Sequence, residues 1–472
     1  MHSSNLLSRL SDPRVDVSQL QGPQFLAESH VDFPRIRSAF AIALHMHQPL
    51  IPAGPGDLAQ ADLIGHLDWM FAHPEGQDNH NAGAFLRCYE RTAGFVTDLV
   101  NAGFEPRVML DYSGCLLFAL EQGGHGHVLD ALVQATTSPQ TRRCIEWLGT
   151  PWGHAVAPST PPKDYRLHVD AWRSHFASLF GADALARVTG FSPAEMALPN
   201  HPDVAYEFVR TLRDTGFRWV LVQEHTVESP DGNSVLRPAV HLPHRLVVRN
   251  ARGDQASIIA LIKTQGSDTK LVGQMQPYYE ARGLSRLQLA GKSIPPIVSQ
   301  VADGENGGVM MNEFPDAFLK ATREASGSET APMNVGEYLE HLEALGLTEQ
   351  DFPEVQPILQ HRIWQRMAPG DGPERLQVVL DALRGEDPRF HVEGGSWTND
   401  RSWIKGYEGV LGPIQEASAR FSERIRTADD PRYRQALLLL LASQTSCYRY
   451  WGEGRWTDYG RELCRRLLEI AG

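Results

Sequence analysis

Seven short, largely apolar runs constrain the fold of this chain most, because stretches with helical periodicity separate them. Runs of this length and composition are typical of strands that are buried on both faces of a parallel sheet. The runs lie at residues 40–44, 107–111, 144–148, 187–191, 218–222, 257–262 and 297–302. Helical patterns at residues 84–101, 170–180 and 202–215 alternate with them. The sequence therefore predicts parallel β/α units.

Seven such units predict an α/β fold, a (β/α)7 barrel that is a distorted form of the eight-stranded TIM barrel. A doubly wound open sheet fits the same number of units, so both topologies stay open at this point. In either fold, the loops after the carboxyl ends of the strands are where a substrate binds.

The sequence pattern also predicts three regions. Residues 1–35 have no sustained periodicity and are expected to form an N-terminal arm, and residues 36–315 the catalytic barrel. Residues 316–472 are expected to form a mainly helical C-terminal region that completes the active-site cleft. Its predicted helices are 335–345, 374–383, 411–426, 433–447 and 458–470. Within the barrel, a turn at residues 253–255 predicts a hairpin.

The charge balance limits the partners of the protein. Lys and Arg total 44 against 57 Asp and Glu, which gives a formal net charge of −13. Binding to nucleic acid or to an anionic membrane needs clustered basic residues, so neither partner is expected. The five cysteines form no C-x-x-C pair, which indicates a reduced protein, and no apolar run approaches the ~18 residues of a membrane span. We therefore expect a cytoplasmic protein that binds a neutral or cationic small molecule or polymer.

Two histidines follow the first predicted strand. His45 and His47 lie two residues apart, which puts them on one face, and Pro49 ends the strand directly after them. Three interpretations stay open: histidines hydrogen-bonded within the core, a pair of zinc ligands, or groups that hold substrate hydroxyls. For an isolated H-x-H pattern, the first is favoured.

Two acidic residues follow other predicted strands. Glu195 lies in an apolar stretch after the fourth strand, and Asp303 directly follows the seventh. A helix-start glutamate and a turn-forming aspartate are the structural alternatives. Two carboxyl groups across a cleft are what cleavage of a glycosidic bond requires, one as nucleophile or base and the other as acid. No G-x-S-x-G elbow, P-loop or dinucleotide-binding G-x-G-x-x-G motif competes with this interpretation.

Aromatic residues accompany these acids. Trp152 and His154 follow the third predicted strand, whereas Trp397 and Trp403 lie in the C-terminal region. A further cluster near the end comprises Tyr448, Tyr450, Trp451 and Trp456. Aromatic side chains beside small polar residues are typical of ligand clefts, although an ordinary contact between domains is the simpler explanation for any single one.

The order of these motifs resembles glycoside hydrolase family 57. The H-Q-P at residues 47–49 matches the first signature of that family, the P-A-E at 193–195 its P-x-E element, and the D-G-E at 303–305 its strand-end aspartate element. The G-S-W at 395–397 and the late aromatic cluster resemble the signature of its helical region. The resemblance covers about residues 38–460.

The resemblance implies a (β/α)7 barrel followed by helices, and a retaining double displacement on α-glucans with no metal or organic cofactor. Glu195 would be the nucleophile and Asp303 the general acid/base, with their carboxyl groups about 5–5.5 Å apart. The substrate-binding residues that it implies are the histidines and Gln48, which would hold sugar hydroxyls, and the tryptophans, which would stack on sugar rings. They are His45, His47, Gln48, Trp152, His154, Trp397 and Trp403.

Two elements depart from the family pattern and affect the subsites rather than either carboxylate. Ser192 and Pro193 stand where the family often has tryptophan, and the G-H-A at residues 153–155 replaces an element often written G-Q-I-E. The acceptor is open between water, as in an amylase, and another glucan, as in a 4-α-glucanotransferase or branching enzyme. Two alternatives come from other classes: a metal-dependent carbohydrate deacetylase with zinc on His45 and His47, and a glucan-binding protein without catalysis.

Overall fold

The computed structural model describes residues 7–11, 23–53, 57–76, 79–264, 272–305, 312–368, 370–397, 408–450 and 454–472. Within these ranges, seven parallel strands form a closed barrel. They are β1 (Ser38–Met46), β2 (Val108–Tyr112), β3 (Ile145–Gly149), β4 (Gly190–Phe191), β5 (Trp219–Gln223), β6 (Gln255–Lys263) and β7 (Ile297–Asp303). Each strand pairs with the next, and β7 pairs with β1, which closes the ring. The predicted barrel is confirmed, and the open-sheet alternative is wrong.

Alternate residues of each strand face the barrel interior and the surrounding helices. In β1, Ala41 and Ala43 join buried residues of the other barrel strands, whereas Ile42 and Leu44 join a second cluster that includes the helices outside. Because side chains in a strand alternate with a period of two, His45 is the next residue of the interior series. It therefore lies at the carboxyl-terminal mouth of the barrel.

Helices surround the barrel and continue beyond it. Those up to residue 325 are His66–Ala72, Ala82–Asn101, Gly114–Gln122, Gly126–Thr137, Pro162–Phe180, Ala182–Ala186, Pro202–Asp214, Gln276–Arg282 and Phe314–Ala325. Those beyond it are Val335–Ala344, Gln360–Trp364, Pro373–Glu386, Glu408–Arg424, Tyr433–Ser443, Cys447–Tyr450 and Arg455–Ala471. The predicted helical character of the C-terminal region is confirmed. The helix predicted from residue 170 begins earlier, at Pro162, where proline suits the first turn.

Short strands extend the barrel sheet from β6 and from β1. The strand His244–Arg249 pairs antiparallel with β6 and forms the predicted hairpin. Thr330–Pro332 pairs with β1, and Glu354–Pro357 pairs with His244–Arg249. The last two strands lie within the mainly helical C-terminal region and were not predicted, because segments this short that contain proline leave no periodic signal. The remaining short strands are Leu50–Ala53, Asp62–Gly65, Val227–Glu228, Leu287–Leu289 and Lys292–Ile294.

All five cysteines are buried and free of disulfide bonds, as their spacing predicts. In the described ranges, no helix combines the length and apolar character that crossing a membrane would need.

Two buried carboxylates, those of Glu340 and Glu337, hold other segments of the chain at the amino-terminal end of the barrel. Glu340 accepts the main-chain N–H groups of Gln24, Phe25 and Leu26 at 2.6–2.7 Å, which fixes this part of the N-terminal arm. Arg107, just before β2, donates through Nε and Nη2 to Glu337 at 2.8 and 3.0 Å. This ion pair joins the barrel to the first helix of the C-terminal region.

Arg107→Met is expected to destabilise the fold strongly, because it leaves the Glu337 carboxylate buried without its cation. We expect the apparent free energy of unfolding in a denaturant titration to fall by about 3–5 kcal/mol. The control Arg366→Met breaks a more exposed pair with Glu386 and should cost much less than Arg107→Met. Equal losses in the two variants would contradict the prediction.

Candidate active site

His45 lies between the ends of two neighbouring strands. It is in register with Asp111 of β2 on one side and with Asp303 of β7 on the other. Its Nδ1 is 3.0 Å from Asp111 Oδ2. Burial disfavours the charged ring, but the carboxylates of Asp111, Asp303 and Glu305 outweigh this effect and raise the pKa of His45 to about 10. His45 is therefore an imidazolium near neutral pH.

Three imidazole rings are stacked at this mouth. The centroid of the His154 ring lies 4.0 Å from that of His47 and 4.6 Å from that of His45. His47 Nδ1 is 2.8 Å from Ser113 Oγ, and its Nε2 is 3.2 Å from Cys447 Sγ. Burial, together with the charge of His45, lowers the pKa of His47 well below its ordinary value. His47 is therefore neutral beside the charged His45.

The two histidines considered as zinc ligands contact protein groups through Nδ1. His45 Nδ1 is 3.0 Å from Asp111 Oδ2, and His47 Nδ1 is 2.8 Å from Ser113 Oγ. In the described part of the chain, no group of three or more His, Cys, Asp or Glu side chains is arranged to hold a metal ion.

Glu195 follows β4 in the short turn Ala194–Met196 and has a left-handed backbone, with φ of 60°. Its side chain is only 14% exposed, and His154 Nδ1 is 3.7 Å from its Oε1. Trp397 donates its indole N–H to Glu195 Oε2 at 2.6 Å and its main-chain N–H to the Glu195 carbonyl at 3.0 Å. Trp397 therefore fixes this carboxylate by hydrogen bonds, a contact that its predicted stacking role does not include.

Asp303, the last residue of β7, is exposed at the same mouth. Burial raises the pKa of Glu195, and the charge of Asp303 adds to this effect, while hydrogen bonds from Ser446 and Trp397 and the charge of His45 oppose it. The two predicted catalytic carboxyl groups therefore both lie at the carboxyl-terminal mouth of the barrel. Glu195 is only slightly exposed and is held by Trp397, whereas Asp303 is exposed.

The D-G-E element folds tightly against β1. Gly304 donates its main-chain N–H to the His45 carbonyl at 2.7 Å. Glu305 is buried and accepts the main-chain N–H of His47 and the hydroxyl of Tyr89, each at 2.6 Å. Burial raises the pKa of Glu305 to about 8. Glu305 therefore anchors the end of β7 to the first strand, which leaves Asp303 as the exposed acid.

The structure places the remaining predicted residues as follows. Gln48 is buried, with its Oε1 2.9 Å from His66 Nδ1. Trp152 has no exposed surface, and its indole N–H donates to His175 Nδ1 at 3.2 Å. The prediction that Trp152 stacks on a sugar is therefore wrong, because neither face of its ring is open. Trp403 lies outside the described residues.

Three residues of the site were not predicted. Asp111 ends the second apolar run, and the signal that singled out Asp303 could have found it. Lys263 ends β6 and is buried; burial lowers its pKa to about 8 against the opposing effect of nearby carboxylates. Ser446 Oγ lies 2.7 Å from His154 Nδ1, and nothing in its local sequence marks it.

Comparisons with known proteins agree with this architecture. The sequence profile of glycosyl hydrolase family 57 matches residues 41–323. Among solved structures, the 4-α-glucanotransferase from Thermococcus litoralis aligns with a TM-score of 0.58 and 15% identity, over 92% of this chain and 60% of that chain. The family 57 branching enzyme from the archaeon Pyrococcus horikoshii aligns with a TM-score of 0.54 and 10% identity, over 92% and 88% of the two chains. No curated protein sequence matches the chain.

At these identities the likeness to solved structures shows the fold alone, and the chain spans 60% of the length of the glucanotransferase. The family profile shows more than the fold, namely the family, because it covers more than half of the chain and runs from β1 past β7. It therefore includes the strand ends that carry His45, Glu195 and Asp303. The protein is a member of glycosyl hydrolase family 57.

Proposed function

We propose that the protein is a retaining, amylase-like glycoside hydrolase that acts on α-glucans. The asymmetry of the two acids carries this proposal: Glu195 is only 14% exposed and is held by Trp397, whereas Asp303 is exposed. A retaining glycosidase needs a fixed nucleophile and a second carboxyl group that trades protons with the leaving group and the acceptor. Family membership supports the reaction class, and the name of the aligned 4-α-glucanotransferase supports the α-glucan substrate. The cytoplasmic location stays a prediction.

The first half-reaction forms a glycosyl-enzyme. The Glu195 carboxylate attacks the anomeric carbon and forms a carbon–oxygen bond, while the bond from that carbon to the glycosidic oxygen breaks. Asp303 gives its proton to the departing oxygen and becomes a carboxylate. The indole N–H of Trp397 and the imidazolium of His45 stabilise the negative charge of Glu195 before attack.

The second half-reaction reverses the roles of the groups. Asp303 removes a proton from the incoming hydroxyl, whose oxygen attacks the anomeric carbon as the bond to Glu195 breaks. Two inversions at one carbon give net retention. Water as acceptor gives hydrolysis, and a sugar hydroxyl gives glucan transfer by the same two residues.

Product analysis with maltoheptaose tests the proposal. Shorter sugars alone indicate hydrolysis, and longer sugars beside them indicate a 4-α-glucanotransferase or branching enzyme instead of an amylase. Proton NMR of the first products should show the α-anomer, as retention requires. A complete lack of turnover on maltoheptaose and on starch would contradict the proposal and favour a glucan-binding protein.

Substitution of either acid should abolish most of the activity. A substrate whose leaving group needs no proton should distinguish the role of Asp303 from that of Glu195. We expect Asp303→Asn to lower kcat/KM on maltoheptaose about 10²–10⁴-fold, and Glu195→Gln at least as much. A maltosyl fluoride needs no proton to leave, so Asp303→Asn should still form the glycosyl-enzyme rapidly while Glu195→Gln does not. Asp316→Asn, which removes an exposed carboxylate, is the control. Wild-type turnover in Glu195→Gln would rule out its nucleophilic role.

The fall of kcat/KM at low pH, the acid limb of the pH profile, should follow the protonation of the nucleophile Glu195. Glu195 must be ionised to attack, and burial raises its pKa above the ordinary 4.5. Activity is therefore retained above the raised pKa, and kcat/KM should fall as the pH drops through it. His45→Gln removes a cation that lowers this pKa, so its acid limb should move to higher pH. His127→Gln, at an exposed histidine, should leave the limb in place. A downward shift in His45→Gln would contradict the prediction.

A further inference from the structure

Two residues at the barrel mouth, His154 and Glu195, have left-handed backbone conformations, with φ of 58° and 60°. Residues other than glycine rarely adopt this conformation, and proteins retain it where surrounding contacts enforce it. Both residues carry side chains of the candidate site. The contacts that enforce their backbone therefore also aim their side chains.

The C-terminal region holds these two residues in the same way. Trp397 contacts the carbonyl of Glu195 with its main-chain N–H and the carboxylate with its indole. Ser446 donates its main-chain N–H to the His154 carbonyl at 3.1 Å, and its Oγ lies 2.7 Å from His154 Nδ1. Trp397 thus fixes both the backbone and the side chain of Glu195, and Ser446 does the same for His154. Both Trp397 and Ser446 are distant in sequence from the residue that they contact.

Ser446 differs from Trp397 because its hydroxyl contacts a residue that lies beside the nucleophile. The His154 Nδ1 that it contacts is 3.7 Å from Glu195 Oε1. Ser446 therefore fixes the imidazole that lies against the Glu195 carboxylate, and its hydroxyl also lowers the pKa of Glu195. Ser446 is 1% exposed, so bulk water does not compete.

We propose that Ser446 is a positioning residue for the nucleophile: it fixes the backbone and the ring of His154, and His154 in turn lies against the Glu195 carboxylate that attacks the substrate. The inference rests on the nucleophilic role of Glu195 in the proposed function. It assigns to the C-terminal region a part in the chemistry of the barrel, through a residue outside the four motifs that carry the family resemblance.

Four other titratable groups surround Glu195, and their effects on its pKa can be separated from that of Ser446. They are His45 of β1, Asp303 of β7, His154 after β3 and Cys447 of the C-terminal region. The charge of His45 lowers the pKa of Glu195, and that of Asp303 raises it. Burial raises the pKa of the Cys447 thiol well above its ordinary value, so this group stays neutral. Ser446 stabilises the carboxylate without carrying a charge, and its removal should raise the pKa of Glu195.

The experiment compares the pH dependence of kcat/KM on maltoheptaose in the wild type and three variants. In Ser446→Ala the donor is lost, so the acid limb should move to higher pH by about one unit. In Ser446→Thr the hydroxyl is kept, and the limb should stay near that of the wild type. Ser443→Ala is the matched control, because Ser443 Oγ donates to the Leu440 carbonyl of its own helix; its limb should not move.

A second measurement follows the Glu195 carboxyl group without turnover. In protein labelled with 13C at the glutamate carboxyl, the Glu195 signal is the one absent from Glu195→Gln, and its titration should shift upward in Ser446→Ala. If neither this titration nor the acid limb moves in folded Ser446→Ala, the inference is overturned. If the wild type turns over no α-glucan, the proposed function fails, and the titration still decides the link between Ser446 and Glu195.

Ser446→Cys replaces Ser446→Ala if the alanine variant does not fold. A thiol is a weaker hydrogen-bond donor than a hydroxyl, so a smaller upward shift of the Glu195 titration is expected. An unchanged titration in a folded Ser446→Cys would count against the inference.

Discussion

The charge of one imidazolium organises the carboxyl-terminal mouth of the barrel. Asp111, Asp303 and Glu305 each favour the protonated form of His45, and His45 in turn lowers the pKa of Glu195 and of Glu305. Like charges that are buried together destabilise one another unless an opposite charge lies among them. His45 supplies that charge, which allows the barrel to keep an ionised carboxylate in a site largely closed to water.

The position of this cation follows from the closed barrel. Small alanines precede His45 in the interior series of β1, and the strand register sets Asp111 and Asp303 directly beside it. An open sheet would leave one of these two neighbours at a distant edge. Closure of the ring therefore brings together acids that are far apart in the chain, and the tight D-G-E turn keeps Asp303 at the rim.

The sequence predicted the parts of this arrangement that depend on local pattern. Strands buried on both faces are continuous apolar runs, so all seven barrel strands and the residues at their ends could be found. The burial of Trp152 against His175 could not be predicted. A position just after a strand does not tell which way the side chain points. Ser446 was missed for another reason: its partner His154 is 292 residues away, and only the folded chain brings the two together.

The residues that hold His154 and Glu195 come late in the chain, and this has a consequence for biosynthesis. A ribosome makes all seven barrel strands before it reaches Trp397 and Ser446. A nascent chain with a complete barrel therefore contains both acids but lacks the main-chain contacts that enforce the left-handed backbone of His154 and Glu195. The site is complete only when the C-terminal region has been synthesised and packs on the barrel, so a chain truncated before residue 397 would keep the strands of the barrel without these contacts.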